Sequence, residues 1–102
     1  MSDRFSSFSD FYPYYLKEHS KKGTKLLHFI GTSLAIYFLF LFLFTYNNLY
    51  ILLVFISGYG FAWVGHYFIE KNKPATFNYP IYSLFGDLAM FRDILLGKIK
   101  LL

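Results

Sequence analysis

The chain has 102 residues, of which 56% are hydrophobic, 25% aromatic and 16% charged, with a formal net charge of +4 and a mean hydropathy of +0.39. That length fits one domain, and its apolar share exceeds the ~45–50% of an ordinary soluble domain. The absence of cysteine excludes disulfides, thiolate metal sites and cysteine nucleophiles.

Residues 1–9 are polar with interspersed Phe and are expected to dock only lightly. From Ser9 the sequence Ser-Asp-Phe-Tyr-Pro reads as a helix start, with Ser9 as cap, Asp10 on the N-terminal dipole and Pro13 in the first turn. Phe8, Phe11, Tyr12, Tyr15 and Leu16 recur at helical spacing, with Lys17, Glu18 and Lys21 turned elsewhere. This predicts an amphipathic helix over 9–22, lying in a membrane interface and closed by Gly23.

From Leu26 to Ile69 there is no Asp, Glu, Lys or Arg. The stretches 26–46 and 49–69 each reach the ~20 apolar residues that a membrane span requires. Tyr46-Asn47-Asn48 makes a tight turn between them. The predicted fold class is all-α and integral to a membrane: a transmembrane helical hairpin flanked by N- and C-terminal amphipathic interfacial helices, in one domain over 1–102. The rival is a soluble helical bundle whose core helices lack charge. The first apolar run begins late and is too long for a signal peptide, so no cleavage is expected.

Arg4, Lys17, Lys21, Lys22 and Lys25 precede the first span, and Lys71, Lys73, Arg92, Lys98 and Lys100 follow the second. The positive-inside rule then places both termini in the cytoplasm, in a bacterial inner membrane or, in a eukaryote, the endoplasmic-reticulum membrane. These cations flank apolar spans, so membrane lipid rather than nucleic acid is the expected partner. Homo-oligomerisation is left open.

After Glu70 a polar connector carries Pro74 and Pro80, and Pro80 can open a helix over 80–96. Ile81, Leu84, Phe85, Leu88, Phe91 and Leu95 form its apolar stripe, with Asp87, Arg92 and Asp93 expected to face water and Gly97 closing the helix.

The candidate chemistry lies at one rim of the hairpin. Antiparallel spans put His28 and His66 at similar depth, and His19 ends the preceding helix at the same level. Gly31 and the Gly58-x-Gly60 and Gly65 positions allow close helix approach there. His66 and Glu70 are four apart, a spacing that places both on one helical face. His19, His28, His66 and Glu70 are therefore candidate metal ligands. Imidazoles with a carboxylate and no thiolate favour iron, manganese or zinc, and such sets with open positions suit non-haem iron(II) oxygenases. A Ser33, His28 and Asp87 triad lacks a nucleophile elbow, and no phosphate-binding loop is present.

The segments Tyr15-x-x-x-His19, His28-Phe-Ile-Gly31 and Trp63-Val-Gly65-His66-Tyr-Phe-Ile-Glu70-Lys-Asn-Lys-Pro74-Ala75 resemble a small membrane family. Its named member is the yeast endoplasmic-reticulum dioxygenase of phytosphingosine breakdown, and it includes short bacterial relatives. The resemblance runs from Tyr15 to Asp87 and departs at Thr24 and Ser33, where Asn and Pro are expected. It implies an Fe(2+)-dependent dioxygenase that shortens a 2-hydroxy fatty acid by one carbon with dioxygen. His19, His28 and His66 match the family's iron ligands. Glu70 would complete the ligand set, orient a ligating histidine or act as a base, and Asp87 is a weaker catalytic candidate. Lys25, Lys71 and Lys73 would attract the substrate carboxylate. The alternative is a non-catalytic membrane scaffold. A proton-coupled carrier is disfavoured, because no acid lies within the spans.

Overall fold

The computed structural model describes residues 5–100; the first four residues, with the cation Arg4, and residues 101–102 lie outside that range. Among the described residues every regular element is helical.

Helix α1 spans Phe8–Lys17. Its cap is Ser7 rather than Ser9: the Ser7 Oγ accepts from the Asp10 N–H at 3.2 Å. Pro13 therefore sits in the second turn, not the first, where it leaves the Ser9 carbonyl without its helical donor. Ser9 is exposed, so water can serve that carbonyl. The helix is also shorter than the predicted 9–22.

Helix α2 spans Lys22–Thr45, starting four residues before the expected span. Gly23 does not terminate a helix here. A Cβ at this position would lie 2.9 Å from Ile69 Cδ1, so the glycine lets the base of α2 seat closely. At the far end Tyr46 adopts the left-handed region with φ 54°, and its N–H donates to Phe42 O at 2.7 Å. Asn47 then caps the next helix, its Oδ1 accepting from the Leu49 N–H at 3.0 Å. Asn48 is thus the first residue of helix α3, Asn48–Glu70, and not part of the turn.

α2 and α3 pack antiparallel along their lengths. Gly31 fixes their approach: a Cβ there would lie 2.6 Å from the Ser57 carbonyl oxygen and 3.0 Å from Phe61 Cβ. Gly65 does the same nearer the rim, where a Cβ would meet Thr24 Cγ2 at 3.2 Å. Gly60 has nothing within 4 Å and takes no part. α3 widens into π-helical turns at Ile56–Gly60 and Gly65–Glu70.

Both helices are long and apolar enough to cross a membrane. Only 11% of the most apolar stretch of α2, and 22% of that of α3, is buried within the chain. Phe44 is 82% exposed and Phe68 70%. A soluble bundle would turn such faces inward, whereas here they point outward.

After Glu70, Lys71 takes φ 64° and folds the chain back on itself. A 3₁₀ turn, Ala75–Phe77, leads to helix α4, Pro80–Leu95, with Pro80 at its start and Gly97 at φ 79° just past its end. The faces of α4 are the reverse of a water-soluble helix. Ile81, Leu84, Phe85, Leu88 and Leu95 are exposed, whereas Ser83, Gly86, Ala89, Met90 and Asp93 are buried. Asp93 therefore does not face water: Tyr12 Oη donates to its Oδ2 at 2.8 Å and Arg92 Nε to its Oδ1 at 3.0 Å.

The tightly packed core lies between α1, α4 and the connector, not inside the helix pair. Phe11, Tyr15, Ala75 and Met90 form it, ringed by half-buried aromatics such as Tyr79 and Tyr82. Gly86 makes room for the Tyr15 ring, which an added Cβ would approach to 2.7 Å. This wedge closes over one end of α2 and α3 and carries His19 onto it.

Candidate metal centre

Three histidines from three parts of the chain meet at this end. His19 follows the last turn of α1, His28 lies one turn beyond Thr24 on α2, and His66 lies in the π-helical end of α3. All three are buried, and their ligand-capable nitrogens lie within 4.8 Å of one another. The rings are nearly perpendicular in pairs, with interplanar angles of 86°, 77° and 87°.

The hydrogen bonds decide which nitrogen carries the proton. His19 Nδ1 lies 2.6 Å from the Tyr15 carbonyl and His28 Nδ1 2.9 Å from the Thr24 carbonyl. A carbonyl only accepts, so each Nδ1 donates. His66 Nδ1 lies 2.7 Å from Asn72 Oδ1. The Asn72 amide is oriented by its own Nδ2, which donates to Glu18 O at 3.1 Å and Glu18 Oε1 at 3.3 Å. His66 Nδ1 is therefore a donor too. Each Nε2 is left with a free lone pair at a cluster whose ligand-capable nitrogens lie within 4.8 Å of one another.

Two of these lone pairs, on His19 and His28, face each other at 2.9 Å. Neither nitrogen has a proton to share, so the pair is repulsive until a cation lies between. Nitrogens bound cis to one ion, at about 2.1 Å each, stand about 3.0 Å apart at a right angle. The donor set and its spacing thus fit a divalent transition metal, with neutral imidazoles suited to iron or zinc. Burial holds His19 well below its ordinary pKa, with His28 and His66 adding to the effect, which keeps it in the neutral, ligating form.

Glu70 sits elsewhere. Its Oε2 accepts from the Lys21 N–H at 2.6 Å and its Oε1 from Ser20 Oγ at 3.2 Å. It thereby braces the start of α2, as the carboxylate of a capping box does. The π-helical turn from Gly65 to Glu70 removes the α-helical register on which a shared face of His66 and Glu70 depends. Among the described residues, the group able to hold an ion consists of the three histidines.

Asp87 lies behind His19. Tyr15 Oη donates a short hydrogen bond to its Oδ1, and the Tyr15 ring stacks on His19 at 4.0 Å between centroids. Burial raises the Asp87 carboxyl from 3.8 to about 7, against the lowering effect of the Tyr15 bond. Between those values the folded protein holds a proton that the unfolded chain has released, so stability falls as pH rises through this interval. Asp87→Asn keeps an acceptor for Tyr15 and removes the titration. The variant's gain in unfolding temperature is expected to be small at about pH 4 and to widen up to about pH 8, as followed by fluorescence of the single tryptophan, Trp63.

Lys25 is half-buried and near enough to His19 to disfavour its protonation. Lys71 and Lys73 are exposed at the same end, with Lys73 Nζ 5.3 Å from the Phe77 ring centre.

Sequence reasoning passes over Asn72. A polar residue in a polar connector carries no signal of its own; the left-handed Lys71 returns it to His66, with the Asn72 N–H donating to His66 O at 2.9 Å. Groups that hold a ligating histidine typically contribute about 10–100-fold to metal affinity. Asn72→Ala is expected to weaken metal binding by that range, and titration of the metal-free protein would measure it.

The arrangement defines a class: a small helical protein of membrane-spanning length with a three-histidine cluster able to hold a metal ion. A family model described as "2-hydroxy-palmitic acid dioxygenase Mpo1-like" matches residues 5–99, and the chain belongs to that family. No curated protein and no solved structure matches the chain.

Proposed function

We propose that this protein is a membrane-embedded, iron(II)-dependent dioxygenase that converts a 2-hydroxy fatty acid into the fatty acid one carbon shorter. The observation carrying this reading is the convergence of three Nδ1-anchored imidazoles, with lone pairs inward, at one end of two apolar helices. The family description supplies the substrate and the dioxygenase activity.

The chemistry balances without a further reductant. A 2-hydroxy acid and dioxygen become the shortened acid, carbon dioxide and water. The bond between the carboxyl carbon and the hydroxylated carbon breaks, and the substrate gives up the four electrons that dioxygen takes. Iron, when bound, supplies the open-shell centre that lets dioxygen react with a closed-shell substrate. His19, His28 and His66 would hold it, leaving other coordination positions free.

The remaining residues prepare the site. Tyr15, Thr24 and Asn72 fix each imidazole in the ligating tautomer. The aromatic wedge of Phe11 and Tyr15 keeps bulk water from His19. Glu70 ties α3 to the start of α2, holding His66 and His28 in register. Lys25, Lys71 and Lys73 draw the substrate carboxylate to this end. The positive-inside rule, applied to these and the other basic residues, supports a site at the cytoplasmic rim.

Purified protein loaded with iron(II) and supplied with 2-hydroxypalmitate labelled at the carboxyl carbon tests this. Release of labelled carbon dioxide with an equal amount of pentadecanoate, consuming dioxygen, is the expected result. Absence of both products from fully loaded protein would remove the enzyme reading and leave the scaffold.

A further inference from the structure

A cavity of about 310 Å³ opens between α2, α3 and α4, bordered by Thr32, Ala35 and Leu39, by Val54 and Gly58, and by Asp87. Its volume is at the small end of the ~300–1,000 Å³ typical of ligand pockets. Its place relative to the histidines is informative. His28, Thr32, Ala35 and Leu39 follow at steps of four, three and four residues, so one stripe of α2 carries both the ligand and the cavity wall. At 1.5 Å per residue the wall runs from about 6 Å to about 16 Å beyond His28, toward the middle of the helix pair. On α3, Gly58 and Val54 likewise lie on the interior side of His66. Asp87, at the same cavity, is joined through Tyr15 to the back of His19.

A slot of this shape, nearly all apolar and beginning one turn from the polar centre, suits an unbranched hydrocarbon whose polar head is held at the histidines. We infer that the cavity receives the acyl tail of the 2-hydroxy fatty acid, and that the small side chains at Ala35 and Gly58 let a long chain pass. This inference rests on the function proposed above and adds the tail's path and the residues that set its length. At Gly58 an added Cβ would lie 3.8 Å from Ala35 Cβ, an ordinary contact, so the two helices face each other here without crowding. A larger side chain at either position has open volume to enter, and the fold should survive it.

The test uses full-length protein in detergent and 2-hydroxyhexadecanoic acid carrying a mid-chain diazirine. Photolabelling is expected to mark the half-buried lining residues Thr32, Ala35 or Val54 and to be displaced by unlabelled 2-hydroxyhexadecanoate. In Ala35→Leu and Gly58→Leu that displacement should weaken by about tenfold, the scale on which pockets discriminate by a methylene or two, while 2-hydroxyoctanoate displaces as before. Label on the outward residues Phe40 and Phe44, displacement by phospholipid as readily as by the hydroxy acid, or equal loss for both chain lengths would overturn the inference. The readout needs no turnover, so the two proposals fail separately. Cavity labelling in a protein that releases no carbon dioxide keeps the tail site and removes the oxygenase. Turnover with label confined to the outer faces keeps the oxygenase and removes the tail site.

Discussion

His28→Ala is expected to abolish stoichiometric metal binding while leaving the metal-free fold nearly as stable as the wild type. The imidazole supplies one of three converging nitrogens, so its loss should exceed the about 100-fold upper range seen for groups behind a ligand. Removing a buried side chain ordinarily destabilises a protein, but here it also removes one of two lone pairs that face each other at 2.9 Å. The contrast appears when metal is added. An ion present at a thousand times its Kd stabilises the folded state by about 4 kcal/mol. The wild type should gain that increment in thermal unfolding, and His28→Ala should not. An equal gain in both proteins would place the ion somewhere other than this cluster.

Gly31→Val has the largest expected effect on the fold. Its first added carbon would lie 2.6 Å from the Ser57 carbonyl oxygen, a backbone atom that moves only if α3 moves. Overpacking of this kind costs about 1–3 kcal/mol, and the upper end applies because no flexible side chain can yield. The separation of α2 and α3 also separates His28 from His66, so metal affinity should fall together with the unfolding temperature. Gly60→Ala is the control: nothing lies within 4 Å of that Cβ, and neither property should change appreciably. Thermal unfolding and metal titration of the two variants, side by side, check both statements.

The sequence is most legible where one property persists over many residues. A long run without charge, divided by Asn47 and Asn48, marks two apolar helices, and the turn geometry differs from expectation only in giving Asn48 to α3. His28 and His66 meet because they lie near the two ends of that run, and His19 joins them from the segment just before it. Features set by tertiary contact are not legible in the same way. Gly23 looks like a helix stop because glycine usually is one, yet it serves a close approach to Ile69. The stripe on α4 is visible but its direction is not: the apolar side turns outward and small residues pack inward, the arrangement an apolar surround would favour. Glu70 is read onto the His66 face by α-helical spacing, which the π-helical turn replaces. Asn72 reaches His66 only through the left-handed conformation of Lys71, which nothing about a lysine announces.

One ion shared by His19, His28 and His66 would make metal content depend on each of the three. The most direct measurement is the metal content per chain of protein purified without oxygen, loaded with iron(II) and desalted, beside His66→Ala treated identically. Close to one iron per wild-type chain and almost none in the variant is the expected result. Equal metal in both, or none in either after loading, would contradict it.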